Sequence, residues 1–170
     1  THCISSAASD VYKRQEFLPF LNNPIIAVAP PDHPLCEAQS LQLQDLCDWP
    51  LLVRERGSGT RRACEEFCHQ KRAHFAQLQE VGSMEGQREG VIAGLGLALI
   101  PRHAVRRELQ LGVLRELPVI ELPLLRSWCV VHPRGKYLSP VAQAFFNFVR
   151  DQRKQIGALA EQFSGASNSL

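Results

Sequence analysis

The chain has 170 residues, of which 45% are hydrophobic, and its 19 lysines and arginines against 17 aspartates and glutamates give a formal net charge of +2. This composition is typical of a globular domain and excludes a wholly disordered chain. The small net charge argues against a protein that coats nucleic acid. The longest apolar run, residues 91–100, contains two glycines and is shorter than the roughly 18 residues that a membrane span needs. We therefore expect no membrane contact and, without a secretory signal, a cytoplasmic location.

Six cysteines are scattered along the chain without a CxxC pair. Because disulfide frameworks occur mainly in short secreted chains, we interpret the cysteines as reduced thiols. Cys64, Cys68 and His69 first suggest metal ligands, but no second cluster completes a site. Small apolar core residues are the favoured interpretation, and we expect no metal.

The first fifteen residues differ in character from the rest of the chain. Residues 10–15 read DVYKRQ, which resembles the translated end of a transposase sequencing adapter, and the preceding THCISSAAS has no apolar period. We interpret residues 1–15 as a non-native, disordered segment and exclude it from the fold prediction. It follows, as an expectation, that the native part begins near Glu16 and that the sequence is the truncated remainder of a longer protein.

The remaining sequence alternates apolar runs with helical patterns. Strands are predicted at residues 25–29, 51–53, 78–81, 97–100, 113–117 and 126–131, the last buried on both faces. Helices are predicted after Thr60, over residues 84–93, from Pro101 through Leu109, and from Pro140 onward. Repeated strand–helix units indicate an α/β fold with mostly parallel strands, whose ligands bind at the carboxyl ends of strands.

The first candidate site is the loop of residues 54–62, which precedes a helix. Glycines allow tight turns, hydroxyls stand at the helix start, and four arginines together with the free N–H groups of a helix N-terminus favour an anion. An anion site and a plain helix cap with a solvated basic face are equally supported by this chemistry. The candidate ligand-contacting residues are Arg54, Gly57, Ser58, Gly59, Thr60 and Arg61.

Two further loops contain glycines beside predicted helix ends. Gly82, Ser83 and Met84 follow a strand, although a simple N-cap is the favoured interpretation of this loop taken alone. Gly94 and Gly96 lie in GLGLALIP, where they end a helix and precede a strand, the reverse of the dinucleotide-binding order. We interpret Gly94 and Gly96 as turn residues close to a ligand cleft.

Catalytic signals are weak. The sequence contains neither GxSxG nor HExxH and no evident nucleophile–base pair. His33, His103 and Glu85 are weak candidates, and a loop-fixing role is favoured for His33. We expect the protein not to be an enzyme.

Four segments carry a family resemblance: NNPIIAVAPPDHPL, LLVRERGSGTRRACEEF, EVGSMEGQREGVIAGLGLALIPRHAV and YLSPVAQAFFNFVRDQ. In this order they resemble the effector-binding domain of LysR-type transcriptional regulators, over about residues 16–152. The loop GSGTR followed at this separation by GLGLALIP is specific for that family. The segments RERGSGTR and RGKYLSPVAQAF are most similar to the subgroup that regulates Calvin-cycle carboxylase operons.

The resemblance implies a type 2 periplasmic-binding-protein-like α/β fold with two lobes. It implies one complete second lobe at residues 31–125, crossover strands at residues 24–30 and 126–132, and part of the first lobe. Residues 153–170 would be the end of the C-terminal helix and a polar tail. By resemblance, a small anionic metabolite would bind between the lobes, contacted from the second lobe by the GSGTR loop, Ser83 and the Gly94–Gly96 turn.

The resemblance also implies partners. The parent protein would be a homodimer or homotetramer that binds promoter DNA through an N-terminal helix-turn-helix, which is missing here, and it would need no cofactor. Without half of the first lobe, we expect a half-built effector site, no DNA binding alone, and uncovered aromatics at Phe145 and Phe148 that reduce solubility. The alternatives are a solute-binding protein of a transporter and an enzyme on the same fold.

Overall fold

The computed structural model describes residues 14–165, with side chains up to residue 160. Within this range the strands are β1 (Gln15–Asn22), β2 (Ile25–Ala29), β3 (Leu51–Arg54), β4 (Leu78–Val81), β5 (Leu97–Pro101), β6 (Arg115–Glu116) and β7 (Ser127–Pro133). The α-helices are α1 (Gly59–Gln70), α2 (Met84–Ile92), α3 (Arg106–Gln110) and α4 (Pro140–Gly165). Short 3-10 helices occur at Pro34–Glu37, Leu43–Leu46 and Arg102–Val105.

The chain divides into two compact units. The larger is Pro24–Leu124, and the smaller combines the residues before Pro24 with those after Leu124. The larger unit therefore begins a few residues earlier than the second lobe expected at residues 31–125. Strand β2, which the resemblance assigned to a crossover, is a member of its sheet.

The larger unit is built on a five-stranded sheet with the order β4-β3-β5-β2-β6. Strand β3 runs parallel to β4 and β5, whereas β2 runs antiparallel to β5 and β6. Four of the five strands in this sheet therefore share one direction, as predicted, and β2 runs against them. Helical crossovers through α1 and α2 make β3, β4 and β5 parallel. The segment between β2 and the next strand, β3, contains two 3-10 helices and no α-helix.

Alternation along the strands gives this sheet two buried faces. Ile25, Ala27 and Leu99 belong to one hydrophobic cluster, and Ile26 and Ile100 belong to the other. Helix α1 covers the first face and α2 covers the second, so the unit has three layers. The predicted apolar stripe of α1 is confirmed, since all four of its residues are buried: Ala63, Cys64, Phe67 and Cys68.

The smaller unit pairs β1 with β7 in an antiparallel two-stranded sheet, and α4 packs against β1. Strand β1 was not predicted. Its first residue, Gln15, pairs with Pro133, so the prediction of disorder is wrong at Gln15, while residues 1–13 lie outside the described residues.

Large apolar side chains remain exposed in the smaller unit. Trp128 and Val131 on β7 are 44% and 43% exposed, so the prediction of a strand buried on both faces is wrong. A helix packed on a two-stranded sheet covers only one face. Phe145 and Phe148 on α4 are 59% and 60% exposed, as the sequence predicted.

Two element boundaries differ from the prediction, one at Pro101 and one at residues 113–117. This proline ends β5 and pairs with Ile25 instead of starting a helix, and the next amide, Arg102 N, donates to Pro24 O at 2.9 Å. The chain then continues through the 3-10 turn into α3. The predicted strand at residues 113–117 is reduced to the two residues of β6.

Cys36, Cys47, Cys64 and Cys68 are present as thiols. Cys129 is disulfide-bonded, so the prediction of reduced thiols is wrong at that residue, and Cys3 lies outside the described residues. Among the helices of the described residues, none has the length and hydropathy of a membrane span.

Gly96 packs against the backbone just before β3. A Cβ atom at Gly96 would collide with the carbonyl oxygen of Pro50, which already accepts a hydrogen bond from Leu97 N at 2.8 Å. We predict that Gly96→Ala lowers the free energy of unfolding by about 2 kcal/mol, because the backbone must shift to relieve the overlap. Urea unfolding followed by tryptophan fluorescence measures this change.

Gly59→Ala is the matched control. Gly59 has an ordinary φ and no atom within 4 Å of an added Cβ, so this variant should unfold at nearly the same urea concentration as the unmodified chain. Equal stability of the two variants would contradict the role assigned to the contact with Pro50.

Candidate functional site

Two helix N-termini lie at one edge of the sheet in the larger unit. Because β3 and β4 are adjacent and parallel, the loops that follow them leave the sheet at the same edge. Helix α1 begins after Ser58 on one face of the sheet, and α2 begins after Ser83 on the other. We call this region the carboxyl edge.

Both serines cap their helices. Ser58 Oγ accepts a hydrogen bond from Arg61 N at 3.3 Å, and Ser83 Oγ accepts from Gly86 N at 2.9 Å. The N-cap interpretation is confirmed at both positions. A hydroxyl that accepts from a backbone N–H can still donate its own proton, so capping does not prevent either serine from contacting an anion.

The glycines of these loops leave the backbone open. Gly57 has φ of +98°, a conformation that glycine adopts without strain. At Gly57, Gly59 and Gly82, an added Cβ would meet no atom within 4 Å. A ligand can therefore approach the main chain closely at the start of both helices.

Two of the four arginines in the first loop already have carboxylate partners. Arg54 Nε and Nη2 donate to Glu55 at 2.7 and 2.9 Å, and these bonds hold the pKa of the Glu55 carboxyl below its usual range. Arg61 donates to Glu65 at 2.7 Å, to Glu80 at 2.6 Å and to the Arg54 carbonyl oxygen at 2.7 Å. These bonds raise the pKa of Arg61, and they link α1 to β3 and β4. Arg61 therefore has a bracing role that the sequence did not indicate.

Arg56, in the loop, and Arg62, in the first turn of α1, are exposed. Together with Ser58 they line a shallow depression of about 370 Å³. Guanidinium groups beside a helix N-terminus attract anions, although exposure to solvent weakens each contribution.

Thr60 and Met84 are half-buried in the first turns of α1 and α2. Thr60 lines a cavity beside α1, whereas Met84 packs against the hydrophobic cluster on the α2 face. The structure thus gives Met84 a core contact in addition to its position near the carboxyl edge.

Gly94 and Gly96 lie at the opposite edge of the sheet. They precede β5, and its first residue, Leu97, pairs with Leu51 at the start of β3. In parallel strands, a turn that precedes a strand lies at the amino edge, whereas the GSGT loop follows a strand. The structure therefore does not bring Gly94 and Gly96 together with Ser58 and Ser83. Gly94 has φ of +74° and directly follows Ala93, the C-cap of α2.

Sequence reasoning missed two polar features. Gln87 on α2 is only 2% exposed, and its Nε2 donates to the Leu52 carbonyl oxygen at 2.7 Å. Its position four residues before the buried Val91, on the inner face of α2, was the available signal. At the carboxyl edge, Arg102 forms an ion pair with Glu116 at 2.6 Å, where burial raises the pKa of the Glu116 carboxyl.

The three weak catalytic candidates do not meet. His33 lies near Trp49 at the amino edge, where the ring centroids are 4.3 Å apart and Nδ1 accepts from Leu35 N at 3.3 Å. His103 follows β5 at the other edge, and Glu85 is exposed on α2. Among the described residues, no group of three or more His, Cys, Asp or Glu side chains could hold a metal ion.

Comparisons with known proteins agree with this architecture. The family model for the LysR substrate binding domain matches residues 11–154. The RuBisCO operon transcriptional regulator of Allochromatium vinosum is 38% identical over 130 residues, which cover 76% of this chain and 43% of that protein. The HTH-type transcriptional regulator CbbR of Xanthobacter flavus is 42% identical over 130 residues, covering 75% and 39%.

Solved structures show the same fold. The regulatory domain of CcmR from Synechocystis PCC6803, in complex with 2-PG, matches with a TM-score of 0.79 and 28% identity, over 91% of this chain and 73% of that chain. The effector-binding domain of QuiR in complex with shikimate matches with a TM-score of 0.75 and 20% identity, over 88% and 70%. The latter likeness concerns the fold alone.

The chain belongs to the LysR substrate-binding-domain family, with its type 2 periplasmic-binding-protein-like α/β fold. Within that family it is similar to the regulators of RuBisCO operons, as the Calvin-cycle motifs predicted. The chain spans about 43% of the length of the curated relatives it matches. These relatives are transcriptional regulators and neither transporter components nor enzymes.

His33 makes the stability of the larger unit depend on pH. Burial lowers the pKa of this histidine, so the unfolded chain takes up its proton at a higher pH than the folded chain does. Stability from this group is present above about pH 6.5 and is lost as the pH falls. We predict that His33→Asn, which keeps an acceptor for Leu35 N, loses less stability than the unmodified chain between pH 7.5 and pH 5.

Urea unfolding of both proteins at a series of pH values tests this prediction. The comparison isolates His33 because His103, whose pKa is also lowered by burial and by Arg106, is present in both proteins. Parallel stability curves for the two proteins would show that His33 titrates alike in the folded and unfolded chains.

Proposed function

We propose that this chain is the effector-sensing part of a LysR-type transcriptional regulator and that it binds a small anionic metabolite at the carboxyl edge. The observation that carries the proposal is the pair of capped helix N-termini at that edge. Each N-terminus presents backbone N–H groups and a partial positive charge, and each has a serine hydroxyl that can donate. Two such ends, with exposed arginines beside one of them, favour an anion.

We take 2-phosphoglycolate as the first ligand to test. The CcmR regulatory domain was solved with 2-PG, and at 28% identity that domain is more than a fold-level relative. A phosphate group accepts several hydrogen bonds at once, which suits the open main chain at Gly57, Gly59 and Gly82.

Regulation would follow from a difference in the affinity of the effector for two conformational states of the regulator. A ligand changes a conformational equilibrium only as far as it binds one state better than the other. A useful 5–150-fold coupling corresponds to roughly 1–3 kcal/mol, which two or three hydrogen bonds to an anion can supply. We propose that promoter DNA is bound by a helix-turn-helix segment that is not part of this chain, and that the effector domain has no catalytic role.

We also propose that the parent regulator forms a homodimer or homotetramer. Strand β4 forms one end of the five-stranded sheet, and Leu78 on it is 55% exposed. An end strand carries backbone groups that another chain can pair with. Sedimentation velocity over a range of concentrations measures the association directly.

Thr60 provides the sharpest test of the anion site. We predict that Thr60→Val weakens 2-phosphoglycolate binding about tenfold, because it removes the hydroxyl but keeps the shape of the side chain. Titration of the ¹⁵N-labelled chain should shift the amide signals of residues 57–61 and 82–84. The dissociation constant is read from these shifts.

Thr60→Ser is the matched control and should bind nearly as well as the unmodified chain. Shikimate, a carboxylate without phosphate, tests whether the phosphate group is required. Equal affinity of Thr60→Val and the unmodified chain would remove Thr60 from the site. Saturable shifts confined to other regions would overturn the placement at the carboxyl edge.

A further inference from the structure

A cavity of about 250 Å³ lies beside α1 in the larger unit. It extends from Thr60, at the start of α1, to Phe75, in the loop that follows this helix. Buried side chains of the core make much of its lining, namely Leu51, Val53, Cys64, Cys68, Ala73 and Leu99. The lining is therefore mainly apolar, and its size suits a compact molecule.

Gln87 is the buried polar side chain in this lining. Its Nε2 donates to the Leu52 carbonyl oxygen at 2.7 Å, which fixes the orientation of the amide, because the opposite orientation would place two oxygen atoms together. Within the described residues, Gln87 Oε1 has no hydrogen-bond partner. A buried acceptor without a donor is costly, so a donor from a bound molecule would stabilise the site.

The charged groups around the cavity already have partners. Arg54 is paired with Glu55, and Arg61 is paired with Glu65. Burial raises the pKa of the Cys68 thiol to about 11, so this thiol is uncharged at neutral pH. The interior therefore favours a neutral ligand over an ionic one.

We propose that this cavity is a second binding site, which takes a small, neutral and mainly apolar molecule whose single hydroxyl or N–H group donates to Gln87 Oε1. The capping serines Ser58 and Ser83 lie outside its lining. Thr60 belongs to this lining as well as to the anion site proposed for the carboxyl edge, whereas Gln87 is not among the residues proposed to bind the anion. The test at Gln87 can therefore fail without the anion proposal failing.

Phenol and toluene, which differ by a hydroxyl in place of a methyl group, are the probes. A purely apolar cavity binds toluene more tightly, because burying an unpaired hydroxyl is unfavourable. A hydrogen bond to Gln87 Oε1 reverses this order. We expect phenol to bind about fivefold more tightly than toluene when both are titrated into the ¹⁵N-labelled 170-residue chain, with saturable shifts at Cys64 and Leu99.

Gln87→Met removes the acceptor and should restore the preference for toluene. Gln79→Met is the matched control, since Gln79 is exposed on β4, and it should keep the preference for phenol. Absence of saturable shifts with both probes would overturn the proposal, as would tighter binding of toluene by the unmodified chain. The relative affinity of phenol and toluene for the unmodified chain tests the proposal by itself. The experiment therefore remains informative if Gln87→Met does not fold.

Discussion

The parallel pairing of β3 with β4 and β5 is the constraint on which the rest of the larger unit depends. Leu51, at the start of β3, pairs with Leu78 on one side and with Leu97 on the other, so the three strands begin together. Their common direction brings two helix N-termini to one edge. The same pairing buries apolar side chains on both faces, where α1 and α2 cover them. The same strand pairing therefore positions the two helix N-termini and stabilises the hydrophobic core.

Much of this arrangement could be predicted because it is local. The stripe on α1, the cap at Ser83 and the helix end at Gly94 each depend on neighbours within a few residues, and all three are observed. Strand β1 could not be recognised, because Pro19 interrupts QEFLPFLN and its apolar residues do not alternate. Its pairing with β7 is a contact over more than a hundred residues, which no local pattern records.

The candidate site shows the same division. The loops at Ser58 and Ser83 were found because a hydroxyl before a helix has a local signature. The Gly94–Gly96 turn was assigned to a cleft by its motif, although its order after a helix and before a strand already implies the amino edge of a parallel sheet. The partners of Arg61 could not be foreseen, because Glu80 reaches it from the neighbouring strand. The number of charges in the sequence suggests that Arg61 is available to a ligand, whereas in the structure its guanidinium group is hydrogen-bonded to Glu65 and Glu80.

The chain enters and leaves the larger unit side by side. Ile25 N donates to Leu124 O at 3.0 Å, and Leu124 N donates to Ile25 O at 2.9 Å. The larger unit is therefore inserted into the chain of the smaller unit, and residues at its two ends are hydrogen-bonded neighbours. Excising residues 24–124 would cut the chain at adjacent positions, and a few flexible residues would suffice to join the flanking segments. This geometry makes the larger unit an exchangeable module: a replacement with neighbouring termini could be grafted there without changing the register of the host strands.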